Sequence, residues 1–107
     1  MDLKAKLWLE FEGKPLMGEG RARLLELIDE RGSISGGARD LGLSYRHAWG
    51  IVGDIEKILG ENILKSRRGG KGGGGTHLTE RGKMLLREFR EKEAIFKKCL
   101  IASSFDL

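Results

Sequence analysis

A glycine-rich run with one lysine is the segment of this chain whose residue types best suit binding chemistry. Positions 69–75 read Gly-Gly-Lys-Gly-Gly-Gly-Gly, and Lys65, Arg67 and Arg68 stand just before them. No acidic residue occurs over positions 62–79. Glycine lets main-chain N–H groups approach a phosphate closely, and lysine and arginine donate charge-assisted hydrogen bonds to it. The run therefore indicates a partner that carries phosphates.

Besides a hairpin that lies on a nucleic acid, this run could form a nucleotide-binding P-loop or a flexible linker. A nucleotide-binding P-loop needs a glycine, four free residues and then Gly-Lys-Ser/Thr at a helix N-terminus. Here Lys71 is followed by Gly72, and Lys65 occupies the position of the first glycine, so nucleotide binding is disfavoured. A flexible linker would suit the composition, but strand-like residues flank the run on both sides. The favoured interpretation is a DNA-binding β-wing, with Lys71 and Thr76 among its contacts.

Residues for catalysis or metal binding are sparse. His47 and His77 have no partner at metal-ligand spacing, and the lone Cys99 can complete neither a zinc site nor an internal disulfide. No pair of carboxylates stands apart from the general surface charge of the helices. The sequence therefore predicts no enzyme, no metal and no cofactor, and the single cysteine suits a reducing compartment.

Length and composition restrict the class of protein further. The chain has 107 residues, enough for one domain, and a formal net charge of +4. Lys4 and Lys6 interrupt the first apolar residues, and no run of about 20 apolar residues occurs, so we expect neither a signal peptide nor a membrane span. These features predict a cytoplasmic protein. Glutamine is absent and asparagine occurs once, a bias that weakly indicates a thermophilic source.

The elements that position these residues follow from hydrophobic periodicity. Apolar and polar residues alternate from Leu3 to Phe11, which predicts a strand. Helical segments separated near Gly32 and Gly42 have the spacing of a helix-turn-helix. The fold class predicted is mainly α with small β, a winged helix-turn-helix with a long C-terminal dimerisation helix. Its parts are an N-terminal β-hairpin (3–17), a three-helix core (19–59), a β-wing (62–78) and a long helix (79–103).

The third helix, which Ser44 is expected to cap, is the predicted recognition helix. The N-terminal residues of such a helix present their side chains to base edges in the major groove. Arg46 suits guanine, and Tyr45 suits a thymine methyl or a phosphate. Ser33 and Ser35 would meet a phosphate at the start of the second helix, with Ser35 as its cap. The predicted DNA contacts are Ser33, Ser35, Ser44, Tyr45, Arg46, His47, Gly50, Lys65, Arg67, Arg68, Lys71 and Thr76.

Two further pairs of residues need an interpretation. Trp8 and Trp49 are interpreted as packing residues rather than as platforms on which bases stack. Gly50 and Gly53 are poor helix formers inside the third helix, so we expect a close approach there, either to DNA or to a packing helix.

An apolar stripe along the last helix predicts a homodimer. Leu85, Phe89, Phe96 and Leu100 recur at spacings of four, seven and four, near one face of the helix. Its first turns are expected to cover the domain's own core. The alternative is a helix that folds back entirely on its own domain, but one of this length extends beyond it and leaves apolar surface that needs a partner. A two-fold dimer would hold two recognition helices about 34 Å apart.

The helix-turn-helix and the wing together resemble a known family. Positions 32–49 read Gly-Ser-Ile-Ser-Gly-Gly-Ala-Arg-Asp-Leu-Gly-Leu-Ser-Tyr-Arg-His-Ala-Trp, and positions 67–79 read Arg-Arg-Gly-Gly-Lys-Gly-Gly-Gly-Gly-Thr-His-Leu-Thr. Both blocks, and the distance between them, are similar to the DNA-binding half of the molybdate-responsive ModE regulators. Related winged domains occur in LysR-type regulators.

The resemblance implies a dimer that binds double-stranded DNA at a palindromic operator. The C-terminal molybdate- or tungstate-binding domains of that family have no counterpart in these 107 residues, so we expect no small-molecule site. Two alternatives stay open, a winged helix that binds protein and an architectural DNA-binding module without sequence specificity. RNA is disfavoured because the domain has no obvious aromatic platform for unstacked bases.

Overall fold

The computed structural model describes residues 1–68 and 74–105 of the chain, with side chains as far as position 101 in the last helix. Within these residues two antiparallel hairpins accompany four helices. The predicted fold class, mainly helical with small β-hairpins and a long C-terminal helix, is confirmed. In chain order the elements are β1 (Trp8–Phe11), β2 (Lys14–Gly18), α1 (Glu19–Arg31), α2 (Ile34–Asp40), α3 (Tyr45–Leu59), β3 (Leu64–Arg67), β4 (Gly75–Leu78) and α4 (Glu80–Phe105).

The hydrophobic core lies between the helix-turn-helix and the first turns of α4. Helices α1 and α3 turn their apolar stripes inward, and Leu24, Ile28 and Ile55 are fully buried. Burying a side chain of this size stabilises a fold by about 1.5–3 kcal/mol. Gly37 lets α2 approach α1 closely, since a Cβ there would lie 2.7 Å from the Cγ1 of Ile28 and 2.9 Å from its backbone N. The orientation of α3 is therefore set by close packing of all three helices.

The N-terminal hairpin is shorter than the alternating sequence predicts. Strand β1 begins at Trp8 rather than at Leu3, whose side chain is 91% exposed. The register pairs Trp8 with Gly18 at the end of β2, so residues 3–7 have no strand opposite them in the described part of the chain. Alternation supplies an apolar face, but a strand also needs partners for its backbone hydrogen bonds. The predicted strand from Leu3 is wrong for that reason.

Serine caps determine where α2 and α3 begin. Ser44 has an extended backbone, and its Oγ accepts the His47 N–H at 3.0 Å, which confirms the predicted cap of α3. Helix α2 is capped by Ser33, whose Oγ accepts the Gly36 N–H at 2.9 Å. The cap predicted at Ser35 is wrong, because the extended backbone that a cap requires occurs two residues earlier.

The base of the wing is attached to the end of α1. The Thr76 N–H donates to the carbonyl oxygen of Gly32 at 2.8 Å, and the Leu78 N–H donates to Asp29 Oδ1 at 3.0 Å. At Gly75 φ is +138°, and a Cβ there would lie 2.9 Å from the Gly32 carbonyl oxygen, so the close approach requires glycine. These contacts hold the wing beside the helix-turn-helix.

Helix α4 begins on the core and continues beyond it. Thr79 caps the helix, with its Oγ1 accepting the Gly82 N–H at 3.1 Å. Leu85 and Phe89 on its first turns are buried. The helix has 26 residues, which at 1.5 Å per residue makes it about 39 Å long. Its second half therefore has room to meet a partner.

A cluster of ion pairs around Arg90 joins α4 to α1. The guanidinium lies 2.7 Å from Glu26 and 3.0 Å from Glu93, and it also pairs with Glu19. The hydrogen bond from Arg90 holds the pKa of the Glu19 carboxyl below its usual range. Hydrogen bonds to Glu26 and Glu19 in turn raise the pKa of Arg90. Charge therefore adds to apolar packing in holding α4 on α1.

Candidate nucleic-acid interface

The N-terminal face of α3 carries the predicted base contacts. The helix buries Ala48, Val52 and Ile55 against the core. Its opposite face is open to solvent, as the helical period predicts. The exposed residues there are Ser44, Tyr45, Arg46, His47 and Gly50.

The acidic residues of α3 are paired with other groups of the same chain. Asp54 Oδ2 lies 2.8 Å from the guanidinium of Arg21 on α1, and Glu56 Oε2 accepts the Ile63 N–H at 2.9 Å. Arg46, in contrast, forms no ion pair or side-chain hydrogen bond with any described residue. The positive charge on this face is therefore not compensated from within the helix, and this is the arrangement that a phosphate-rich partner favours.

The wing divides its predicted contacts between two opposite faces. The register places Lys65 opposite His77 and Ser66 opposite Thr76, and successive side chains of a strand alternate between faces. Ser66 and Thr76 line a groove that the wing shares with α3. Lys65 and Arg67 line a separate groove together with His77. The structure therefore does not bring the wing residues onto one surface.

The charged residues toward the wing tip are open to solvent where they can be described. Lys65, Arg67 and Arg68 are exposed, and none forms an ion pair with a described residue. The predicted contact at Lys71 lies outside the described residues.

Ser33 and Ser35 lie at the start of α2, as the predicted phosphate contact requires. The Ser33 oxygen is already used as the cap, and the Ser35 hydroxyl donates toward it at 3.5 Å. Ser33 is half-buried and Ser35 is exposed. Ser35 therefore has the more accessible hydroxyl of the two.

Sequence reasoning missed one residue of this surface. The interpretation of Trp8 and Trp49 as packing residues is wrong, because their side chains are 54% and 60% exposed. Trp49 lines the groove between α3 and the wing. It follows the buried Ala48 by one residue, about 100° around the helix. The helical period could have placed it outside, but the apolar character of indole suggested the core.

Gly50 and Gly53 also face open space. A Cβ at either position would meet no atom within 4 Å. Of the two explanations considered for these glycines, a helix packed on them is wrong for the described part of the chain. The approach of a partner molecule stays as the other explanation.

The four residues of the predicted dimer interface divide into two pairs. Leu85 and Phe89 are buried in the chain's own core, so their assignment to the interface is wrong. Phe96 and Leu100 are exposed, at 39% and 38%. The division arises because the first turns of α4 complete the core before the helix leaves it. Only the second pair can meet a partner.

Three further features of residues 1–68 and 74–105 concern other kinds of site. No three His, Cys, Asp or Glu side chains among them come together as metal ligands do. No helix in this part is both long and apolar enough to cross a membrane. Cys99 is a free thiol on the surface of α4.

The fold is that of a winged helix-turn-helix domain of LysR-like type. The DNA-binding domain of CbnR, solved in complex with DNA, superposes with a TM-score of 0.60 at 19% identity, covering 78% of this chain and 91% of that one. ArgP from Mycobacterium tuberculosis gives a TM-score of 0.58 at 17% identity, covering 80% of this chain and 30% of that one. At these identities the likeness establishes the fold.

Sequence similarity then identifies the relatives. The molybdenum-pterin-binding protein MopA of Rhodobacter capsulatus is 39% identical over 98 residues, which are 92% of this chain and 37% of that protein. The DNA-binding transcriptional dual regulator ModE of Escherichia coli strain K12 is 41% identical over 86 residues, 80% of this chain and 33% of that protein. No family model matches the chain. The sequence similarity to ModE confirms the family resemblance.

The chain spans about a third of the length of the relatives it matches. The names of these relatives denote regulators and molybdenum-related proteins, and neither of the two names given above denotes an enzyme. This agrees with the expectation, drawn from the sequence, that the chain has no catalytic function.

Proposed function

We propose that this chain is the DNA-binding module of a transcriptional regulator and recognises a specific sequence in double-stranded DNA. Helix α3 lies in the major groove, and the wing lies on the backbone or in the minor groove. The observation that carries the proposal is the exposed N-terminal face of α3, where Arg46 is unpaired among the described residues. Homology to the regulator ModE and a fold like that of a domain solved with DNA support it.

In this proposed function some residues contact base edges and others bind the sugar–phosphate backbone. Arg46 donates two hydrogen bonds to O6 and N7 of a guanine, and Tyr45 contacts a thymine methyl or a phosphate. Lys65, Arg67 and Arg68 neutralise phosphates and release counterions, which gives affinity without sequence preference. The other contacts assigned are Ser33, Ser35, Ser44, His47, Gly50, Lys71 and Thr76.

We further propose that the active form is a homodimer. Phe96 lines a shallow groove with Leu7 and Trp8, so apolar surface continues from the N-terminal hairpin onto α4. Together with Ile95 and Leu100 it leaves an apolar patch that a second copy of the chain would cover. To bind two half-sites one helical turn apart, a two-fold dimer has to hold its two α3 helices about 34 Å apart, on successive turns of the DNA major groove.

The test of the proposed function is the selection of bound sites from a pool of random duplex DNA. We would carry it out at about 0.15 M salt, where screening weakens loose charge contacts. The proposal predicts enrichment of an inverted repeat with half-sites about one helical turn apart. Binding without any enriched sequence would contradict sequence-specific recognition.

A second candidate is an architectural DNA-binding module without sequence specificity. The unpaired cations Lys65 and Arg67 favour it, because they lie on the face of the wing away from α3 and carry no base information. The same selection separates the two candidates. The architectural module would bind every duplex about equally, with an affinity that falls steeply as salt rises.

A further inference from the structure

Trp49 presents an accessible indole on the exposed face of α3. Its Nε1–H forms no hydrogen bond with any described residue. The Nε1–H of Trp8, in contrast, donates to Glu10 Oε2 at 3.0 Å. An indole N–H only donates and never accepts. Trp49 therefore offers a partner an apolar ring and one unused donor.

The indole lines a groove of about 230 Å³ between α3 and the wing. The hydroxyl oxygens of Ser66 and Thr76 lie 3.0 Å apart and share one hydrogen bond, so one hydroxyl hydrogen is left to donate to a partner. Gly53 borders the groove, and no atom lies within 4 Å of the position its Cβ would take. The apolar lining comes from Ile34, Trp49, Val52 and Leu64.

The chemistry of this groove suits a sugar–phosphate strand. Glu56 also lines the groove; its carboxylate keeps its negative charge, with Oε2 turned to the Ile63 N–H, and no cation lines the groove. The apolar side chains, the Trp49 Nε1–H and one hydroxyl hydrogen are what the groove offers a partner, so a strand would be bound there by apolar contact and neutral donors. A deoxyribose has an apolar face, and the oxygens of the adjoining phosphate diester only accept. A base edge would instead need several donors and acceptors in one plane.

We propose that this groove binds the sugar–phosphate backbone of one DNA strand as the strand passes from α3 to the wing. The Trp49 ring lies against a deoxyribose, and its Nε1–H donates to a phosphate oxygen. The inference rests on the proposed function, and it adds Trp49 to the residues assigned above. Such a contact carries no sequence information and removes no charge from the phosphate.

The test compares Trp49→Ala and Trp49→Phe in the full chain. The control is Leu3→Ala, which removes an exposed apolar side chain that lines neither this groove nor the proposed dimer interface. Affinity is measured on the selected site and on a random duplex, between 50 and 200 mM salt (about the range over which counterion effects are read). We expect Trp49→Ala to weaken both affinities by a similar factor, roughly three- to tenfold. The slope of log K against log salt should not change, because the indole is neutral. Trp49→Phe keeps an aromatic ring but loses the N–H donor, so its affinity should lie between that of Trp49→Ala and that of the unmodified chain.

A second measurement covers the case in which Trp49→Ala does not fold. In a Trp8→Phe variant that light scattering shows to keep the mass of the unmodified chain, Trp49 is the single tryptophan. Bound DNA should shield its fluorescence from acrylamide quenching. Equal quenching with and without saturating DNA would overturn the inference. A Trp49→Ala protein that binds DNA as tightly as the control would also overturn it. A loss of affinity confined to the selected site would indicate that Trp49 contacts a base, and would overturn its assignment to the backbone. Failure of the unmodified chain to bind any duplex would instead overturn the proposed function.

Discussion

Arg46 differs from Arg21 and Arg31 in having no described carboxylate beside it. Arg21 pairs with Asp54 and Arg31 with Asp40, at 2.8 and 2.7 Å, so both guanidinium groups help to hold the helix-turn-helix together. An arginine in such a pair would have to give up its carboxylate to bind DNA, whereas Arg46 exchanges only water. At the scale of single residues, this difference separates an arginine that binds DNA from one that supports the fold.

We therefore predict that Arg46→Ala relaxes sequence preference at one base pair by about 1–3 kcal/mol. The variant should lose more affinity for the selected site than for random duplex, because a bidentate contact to guanine discriminates between bases. Equilibrium titration of both duplexes measures the difference. Arg87→Ala on the exposed surface of α4 is the control for the loss of one positive charge. Equal losses on both duplexes would remove Arg46 from base recognition.

Replacement of Gly50 by alanine should change the stability of the fold and the affinity for DNA in opposite directions. A Cβ at Gly50 meets no atom within 4 Å, so Gly50→Ala should raise the free energy of unfolding by about 0.5–1 kcal/mol. The same methyl group would obstruct DNA, so affinity should fall.

Gly20→Ala is the matched control, because Gly20 lies in α1 and is equally open. It should stabilise the chain without changing DNA affinity. Thermal unfolding and DNA titration of both variants measure the two effects. A Gly50→Ala protein that binds as tightly as Gly20→Ala would show that no partner approaches α3 at this position.

At the scale of elements, α4 is both part of the core and an extension away from it. Phe89 is buried under the helix, and the adjacent Arg90 pairs with carboxylates of α1. The ion pairs involve side chains on two different elements, so they restrict how α4 can pivot on α1. The angle at which α4 leaves the domain would set the separation of the recognition helices in a dimer.

The pair between Arg90 and Glu19 predicts a pH dependence of stability. The pKa of Glu19 is lower in the folded chain than its usual value of 4.5. A lowered folded pKa means that the pair contributes stability above the usual value, and that this contribution is lost as pH falls toward the folded value. The difference in unfolding free energy between the unmodified chain and Glu19→Gln should therefore shrink as pH is lowered from about 6 to 3.

Chemical denaturation at several pH values measures that difference. Glu91→Gln is the control, because Glu91 is exposed on α4 and forms no ion pair with a described residue. A difference for Glu19→Gln that stays constant down to the lowest pH would contradict the assigned role of the pair.

The sequence allows the helices to be predicted more closely than the small strands. Ser44, Thr79 and Gly32 act on the backbone next to them, so they mark helix ends whatever the rest of the chain does. The start of β1 depends on the length of β2, which alternation around Leu3 cannot reveal. The cap of α2 depends on which residue has an extended backbone. The sequence offers a serine at both position 33 and position 35, and it does not show which of them has that conformation.

The exposed face of α3 could be predicted because the helical period of about 3.6 residues alone decides which of its side chains are buried. The surface of the wing could not be predicted, because which side chains share a face of a hairpin depends on the strand register. A shift of the register by one residue moves every side chain to the opposite face. Register places Ser66 toward Trp49 and Lys65 away from it. The point at which α4 leaves the core could not be predicted either. Its apolar stripe continues from Phe89 to Phe96 without a break, so the spacing does not indicate where the core ends.

At the scale of the whole molecule, the exposed end of the stripe predicts that Phe96→Asp prevents dimer formation. A carboxylate there would have to be buried in the proposed interface, which is strongly unfavourable without a partner charge. The side chain is 39% exposed in the single chain, so the domain should still fold. Light scattering measures the mass, and circular dichroism checks the fold.

Lys98→Asp is the control, since it places a carboxylate on α4 outside the stripe and changes the net charge by more than Phe96→Asp does. That variant should stay dimeric. A Phe96→Asp protein with the mass of an intact dimer would reject the proposed interface.

The parts combine into one account: the core orients α3, the wing extends the contact along the DNA, and α4 pairs two copies. The central claim is sequence-specific recognition. Its most direct test is the ratio of Kd values for a scrambled duplex and for the selected inverted repeat, at about 0.15 M salt. The account predicts a ratio of about 10³ or more. A ratio near one would contradict it and leave a domain that binds DNA by charge alone.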